Sequence, residues 1–102
     1  MVGMPFDDEH APLYSLGQVA EMLQVQQAFL RRLDQHDVVS PHRSPGGQRR
    51  YSRHDIGLLQ HVTTMTGQGM TLNAIRRILE LEQEVRELRA ALKAHQGRRH
   101  LP

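Results

Sequence analysis

Between Thr71 and Gln96 the chain carries neither glycine nor proline, and that uninterrupted stretch limits its folding options more than any other feature. Leu72, Ile75, Ile78 and Leu79 fall at helical spacing. Ile78, Leu81, Val85, Leu88 and Leu92 then alternate steps of three and four, the a/d pattern of a heptad seam. One helix over about 71–95, roughly 37 Å long at 1.5 Å per residue, is expected. Charges of both signs flank the seam, from Glu80, Glu82, Glu84 and Glu87 to Arg86, Arg89 and Lys93. A compact domain ending near Leu79 has nothing to lay over Val85, Leu88 and Leu92. The five seam residues Ile78, Leu81, Val85, Leu88 and Leu92 are therefore assigned to coiled-coil pairing with a second copy, the alternative being a helix packed along its own domain.

The residues before that helix supply the domain. Residues 1–13, with Pro5, Pro12 and the acidic Asp7-Asp8-Glu9, lack apolar periodicity and are read as a flexible leader. Ser15 followed three residues later by Gln18 is a capping box, and Leu16, Val19, Ala20 and Leu23 share one face of a helix over about 15–24. A turn at Gln24 to Gln26 leads into a second helix, Gln27 to about His36, with Leu30 and Leu33 inward and Arg31 and Arg32 on the other side. Ser52 and Asp55 repeat the cap signal. Ile56, Leu59 and Val62 carry a third helix to about Gln68, where Gly67 and Gly69 end it, and Thr71 caps the last. The expected layout is a domain over 14–79, a pairing helix over 80–95 and a basic tail, with Arg98-Arg99-His100, over 96–102.

Between the second and third helices, Val38 to His54 holds four of the twelve arginines, Arg43, Arg49, Arg50 and Arg53, and no acid. Its interior, Ser44-Pro45-Gly46-Gly47-Gln48, is turn chemistry, because proline presets one backbone angle and glycine accepts positive φ. Val38-Val39 and Arg50-Tyr51 are expected to pair as a short β-hairpin, against the alternative of a solvated basic loop. Two short helices joined by a tight turn and followed by a basic hairpin give a mainly α fold of winged helix-turn-helix type, with a C-terminal dimerisation helix. In that arrangement Arg43, Arg49 and Arg50 on the wing, with Arg31, contact phosphates. Gln27, Ala28 and Arg32 meet base edges, since glutamine suits adenine, arginine guanine and alanine the thymine methyl. Tyr51 either donates to a phosphate or packs the hairpin on the core. Phe29 either packs inward or contacts a thymine methyl or a partner protein.

Composition closes off other chemistry. With no cysteine in 102 residues there is no disulfide, thiolate metal site or thiol nucleophile. No apolar run approaches a membrane span, and no export signal opens the chain, so a cytoplasmic, nucleoid-associated protein is expected. His54 and His61 lie seven apart with no third ligand near in sequence, so neither metal nor cofactor is assigned. No nucleophile motif, P-loop or held carboxylate pair marks an enzyme.

Tyr14-Ser15-Leu16-Gly17-Gln18-Val19-Ala20, Leu30-Arg31, Asp34, Val38-Val39-Ser40-Pro41, Arg43 and Gly47 to Asp55 (GQRRYSRHD) together resemble the N-terminal domain of MerR-family transcription regulators. Leu72 to Leu81 and Val39-Ser40-Pro41 look most like the heat-shock repressor HspR branch. The resemblance implies a homodimer joined by an antiparallel coiled coil on an inverted repeat in promoter double-stranded DNA. For the HspR branch it implies repression of chaperone operons with a DnaK-type chaperone as co-repressor. Repression is also expected because the sequence ends where, by the resemblance, effector-sensing relatives carry a further domain. The chain departs from the family pattern at Gln26, a poor helix cap, at Ala28-Phe29 and Arg32-Leu33, and at Asp37 in place of glycine. These changes fall on the base-reading helix. They keep open a second reading, a protein-interaction module that binds RNA polymerase, a sigma factor or a chaperone without reading an operator.

Overall fold

The computed structural model describes residues 8–99. In chain order it contains β1 (Tyr14–Ser15), α1 (Leu16–Leu23), α2 (Gln27–Gln35), β2 (His42–Arg43), β3 (Arg49–Tyr51), α3 (Arg53–Gly67) and α4 (Leu72–Arg99). The helix starts follow from local side-chain chemistry. Ser15 Oγ accepts the Gln18 N–H at 3.2 Å while Gln18 Oε1 accepts the Ser15 N–H at 2.8 Å, closing the box that opens α1. Ser52 and Asp55 do the same for α3 at 3.0 and 2.9 Å. Thr71 Oγ1 accepts the Ala74 N–H at 3.1 Å at the head of α4.

α2 has no such help, because the Gln26 side chain makes no capping bond. Tertiary packing holds it instead. Leu30 and Leu33 are buried in one core with Val19 and Ala20 of α1, Tyr51 of β3, Leu59, Val62 and Met65 of α3, and Ile75 of α4. Asp37 follows α2 at φ 55°, the left-handed conformation that favours glycine, and the chain turns so that the Val38 N–H donates to Leu33 O at 2.8 Å.

The sheet corrects the expected wing. Its order is β1-β3-β2, all antiparallel, with His42 opposite Arg50 and Arg43 opposite Arg49. Val38 and Val39, expected as a hairpin strand, are buried in the core instead. The turn decides the register: Ser44 N–H donates to Gln48 O and Gly47 N–H to Ser44 O, both at 2.8 Å, with Gly47 at φ 82°. A loop that short leaves Arg43 and Arg49 facing each other and places the valines beyond the pairing. The third strand, β1, pairs Tyr14 with Tyr51 and Ser15 with Arg50, so the base of the wing is tied to the start of α1.

Both expected termini also differ. Residues 8–13 do not hang free: the Leu13 N–H donates to Tyr51 O at 3.1 Å, the His54 N–H to Glu9 O at 2.9 Å, and Ala11 is buried. The remainder of the expected leader, residues 1–7, lies outside the described residues. α4 runs on through Gly97 to Arg99, past the expected end near 95, so the proposed basic tail of 96–102 is helical at least to Arg99; residues 100–102 lie outside the described residues. At 28 residues α4 is about 42 Å long. Its first turns dock through Leu72, Ile75, Ile78 and Leu79, and Glu82 reaches back to His61 of α3 at 3.0 Å. Further along, Leu81, Val85, Leu88 and Leu92 are exposed, Leu88 by 69%. Among the described residues no helix is long and apolar enough to cross a membrane.

Candidate nucleic-acid interface

Burial of Leu30 and Leu33 fixes the rotation of α2, and that rotation leaves Gln27, Ala28, Arg31 and Arg32 exposed. Gln27 and Arg31 stand one turn apart and are joined, with Arg31 Nη2 donating to Gln27 Oε1 at 3.2 Å. They share a shallow concavity with Leu16 and Gly17 of α1 and with Arg43, Arg49 and Arg50 of the wing. Five expected contact residues thus meet on one surface. Ala28 and Arg32 are exposed on the same helix but do not line that concavity. Phe29 is half-buried against the core, which selects the packing role for its ring.

The wing arginines are not equivalent, because Asp34 of α2 holds two of them. Arg49 Nε donates to Asp34 Oδ2 at 2.7 Å and Arg43 Nη2 donates to the same oxygen at 2.9 Å. The Asp34 and Arg49 side chains are only 14% and 18% exposed, so this pairing is far drier than a surface ion pair. The second nitrogen of Arg43 donates to Gly47 O at 3.2 Å. Together these bonds brace the wing tip and base against α2. Arg43 and Arg49 therefore serve first as a structural clamp, with one carboxylate offsetting half of their charge. Arg50 differs: its partners are the Gln48 amide oxygen at 2.7 Å and the Arg49 carbonyl at 3.1 Å, neither of them charged. Arg31 is likewise bonded only to an amide.

Nothing in local periodicity announces the Asp34 clamp, since its partners lie 9 and 15 residues away. One signal was available: a lone acid on α2 ahead of a wing that has four arginines and no acid.

Tyr51 is not the phosphate contact that the sequence allowed. Its side chain is fully buried in the core, and its hydroxyl has no hydrogen-bond partner among the described residues. Burial pushes its pKa up to about 12, with Arg49 pulling the other way. The unfolded phenol ionises near 10. Between those values the unfolded state holds fewer protons, so stability is full below about pH 10 and falls as pH rises toward 12. Tyr51→Phe should therefore match or exceed the parent in stability, by up to about 1 kcal/mol at neutral pH, and should flatten this alkaline fall. Melting curves between pH 7 and 12 check both points. A clear loss of neutral-pH stability in the variant contradicts the burial assignment.

Residues 14–82 match the family model described as MerR HTH family regulatory protein. The chain belongs to the MerR family. It is 40% identical over 83 residues to a protein assigned as heat shock protein HspR of Streptomyces coelicolor, covering 80% of this chain and 55% of that one. It is 29% identical over 84 residues to the HTH-type transcriptional regulator GlnR of Bacillus anthracis, covering 82% of this chain and 65% of that one. The chain thus spans between half and two thirds of the curated relatives it matches. Its fold is similar to that of HiNmlR, a MerR family regulator lacking the sensor domain and solved bound to promoter DNA, at TM-score 0.63 and 25% identity over 83% of this chain and 71% of that one.

Proposed function

We propose that this MerR-family chain is a sequence-specific, DNA-binding transcriptional regulator that acts as a homodimer on an inverted-repeat promoter site and represses from it. The observation that carries this reading is the convergence of Gln27 and Arg31 of α2 with Arg50 and the clamped Arg43 and Arg49 on one concave, cationic surface. α2 enters the major groove, where Gln27, Ala28 and Arg32 read base edges. Arg31 and Arg50, which have no acidic partner among the described residues, grip phosphates and set affinity and register. The exposed seam of α4 buries itself against a second copy, and the groove beside it, lined by Ile78, Leu81 and Val85 and rimmed by Arg86 and Arg89, fits an apolar helix face. Repression is carried over from the resemblance to the HspR branch, and the similar MerR family regulator solved on promoter DNA supports DNA binding.

The experiment is a salt titration of binding to a non-specific duplex, read by fluorescence anisotropy. Arg50→Ala should weaken binding to every sequence alike and reduce the slope of log K against log salt by about one unit. An unchanged slope places Arg50 off the DNA.

A further inference from the structure

Three side chains of a type that can ligate metal, two adjacent in sequence and the third far along the chain, meet at the start of α3. Glu9 and His10 precede β1, and His54 is the second residue of α3. Bonds made by the backbone N–H groups, rather than by the three side chains themselves, bring them together. The His54 N–H donates to Glu9 O at 2.9 Å, the Ala11 N–H to Asp8 O at 3.1 Å and the His10 N–H to Asp8 Oδ1 at 2.9 Å, while Ala11 is buried beside them in sequence. On that fixed base the His10 and His54 rings lie with centroids 4.6 Å apart, tilted by 40°. His10 Nε2 is 3.5 Å from Glu9 Oε1. One ligand atom from each of the three residues lies within 4.8 Å of the other two.

These separations suit a metal ion. Around zinc, with bonds of about 2.0–2.1 Å, the edge of a coordination tetrahedron is about 3.4 Å. The nitrogen–oxygen contact already has that length. The other separations close by side-chain rotation alone, because all three residues are exposed and no core packing has to yield. A His10–Glu9 ion pair accounts for one contact and ring packing for the other, but neither draws one ligand atom from each of the three residues to a common point.

We propose that Glu9, His10 and His54 form an open binding site for a divalent d-block ion of the zinc class. Two imidazole nitrogens and one carboxylate oxygen are a borderline donor set suited to zinc, nickel, cobalt or copper rather than to magnesium or calcium, and three protein ligands leave a position for water. The bound ion cross-links the segment before β1 to α3. That segment continues into the strand paired with β3, so the ion secures the sheet edge at the base of the wing and stabilises the folded chain through linkage.

Isothermal titration of the untagged, full-length protein with zinc chloride tests the site, alongside melting curves with and without zinc. One ion per chain is expected, with a zinc-dependent rise in melting temperature. Glu9→Gln, His10→Asn and His54→Asn should each weaken binding at least about tenfold and abolish that rise. His61→Asn, whose parent ring is engaged with Glu82 at 3.0 Å, should change neither. If His54→Asn perturbs α3, the two substitutions before β1 decide the matter alone. Equal zinc affinity in those two variants and the parent, or no saturable binding up to about 1 mM zinc, a range far weaker than protein zinc sites, overturns the proposal.

Discussion

Replacing Val85 and Leu88 together with glutamate is expected to give a folded monomer that binds a two-half-site operator at least about a hundredfold more weakly than the parent. Two consequences of the structure combine in that expectation. Folding does not depend on these side chains, because the domain core closes with Ile75 and both residues stand in solvent on the single chain. In the proposed dimer pairing does depend on them, because they lie mid-way along a seam of only about two heptads, where two like-charged glutamates would meet their symmetry mates or neighbours across an apolar interface. Once the link is lost, the second half-site is no longer held at high effective concentration, and affinity falls to that of one domain on one half-site. Sedimentation and anisotropy on the same sample separate the steps. A double variant that still sediments as a dimer shows that another surface makes the contact.

Asp34→Ala should produce the second largest effect, and it should act in opposite directions on two readouts. Removing the carboxylate breaks two charge-assisted bonds, the one to Arg49 largely shielded from water and the one to the half-exposed Arg43 less so, which costs about 1.5–3 kcal/mol of stability. The same change leaves Arg43 and Arg49 with two positive charges where the trio previously carried one. Non-specific affinity at low salt should therefore hold or rise, while the wing, no longer braced against α2, loses its fixed position relative to that helix, the proposed reader of base edges. The ratio of specific to non-specific affinity should fall by about tenfold or more, since each unit of misplaced base contact is worth about 1–3 kcal/mol. A variant of unchanged stability and unchanged ratio removes the clamp from the account.

These two residues sets also mark where the sequence can and cannot be read. Ser15 with Gln18 and Ser52 with Asp55 announce helix starts because capping is a bond between residues three apart, and both boxes form as written. The long α4 and the exposed apolar residues along it are legible for the same reason, a local period. The MerR resemblance, carried by GQRRYSRHD and the residues before it, is matched by the family model over residues 14–82. What escaped depends on distant chain segments. β1 is two residues long and has no period to detect, and it exists because Tyr51 and Arg50 offer it an edge. Val38-Val39 has the β-branched composition of a strand, yet the core draws both valines inward and the turn at Gly47 hands the pairing to His42-Arg43. Asp34 finds its arginines only after the wing folds back. Glu9, His10 and His54 come together only because the supposedly loose segment docks on α3.

The central claim, that the surface shared by α2 and the wing reads a defined DNA site, is tested most directly by recovering the DNA bound by the intact protein from its own genome. Enrichment of a few promoter regions sharing an inverted repeat, lost when Gln27 and Arg32 are both changed to alanine, is the predicted result. No enrichment over background, with the protein folded and dimeric, contradicts it and favours the protein-interaction reading.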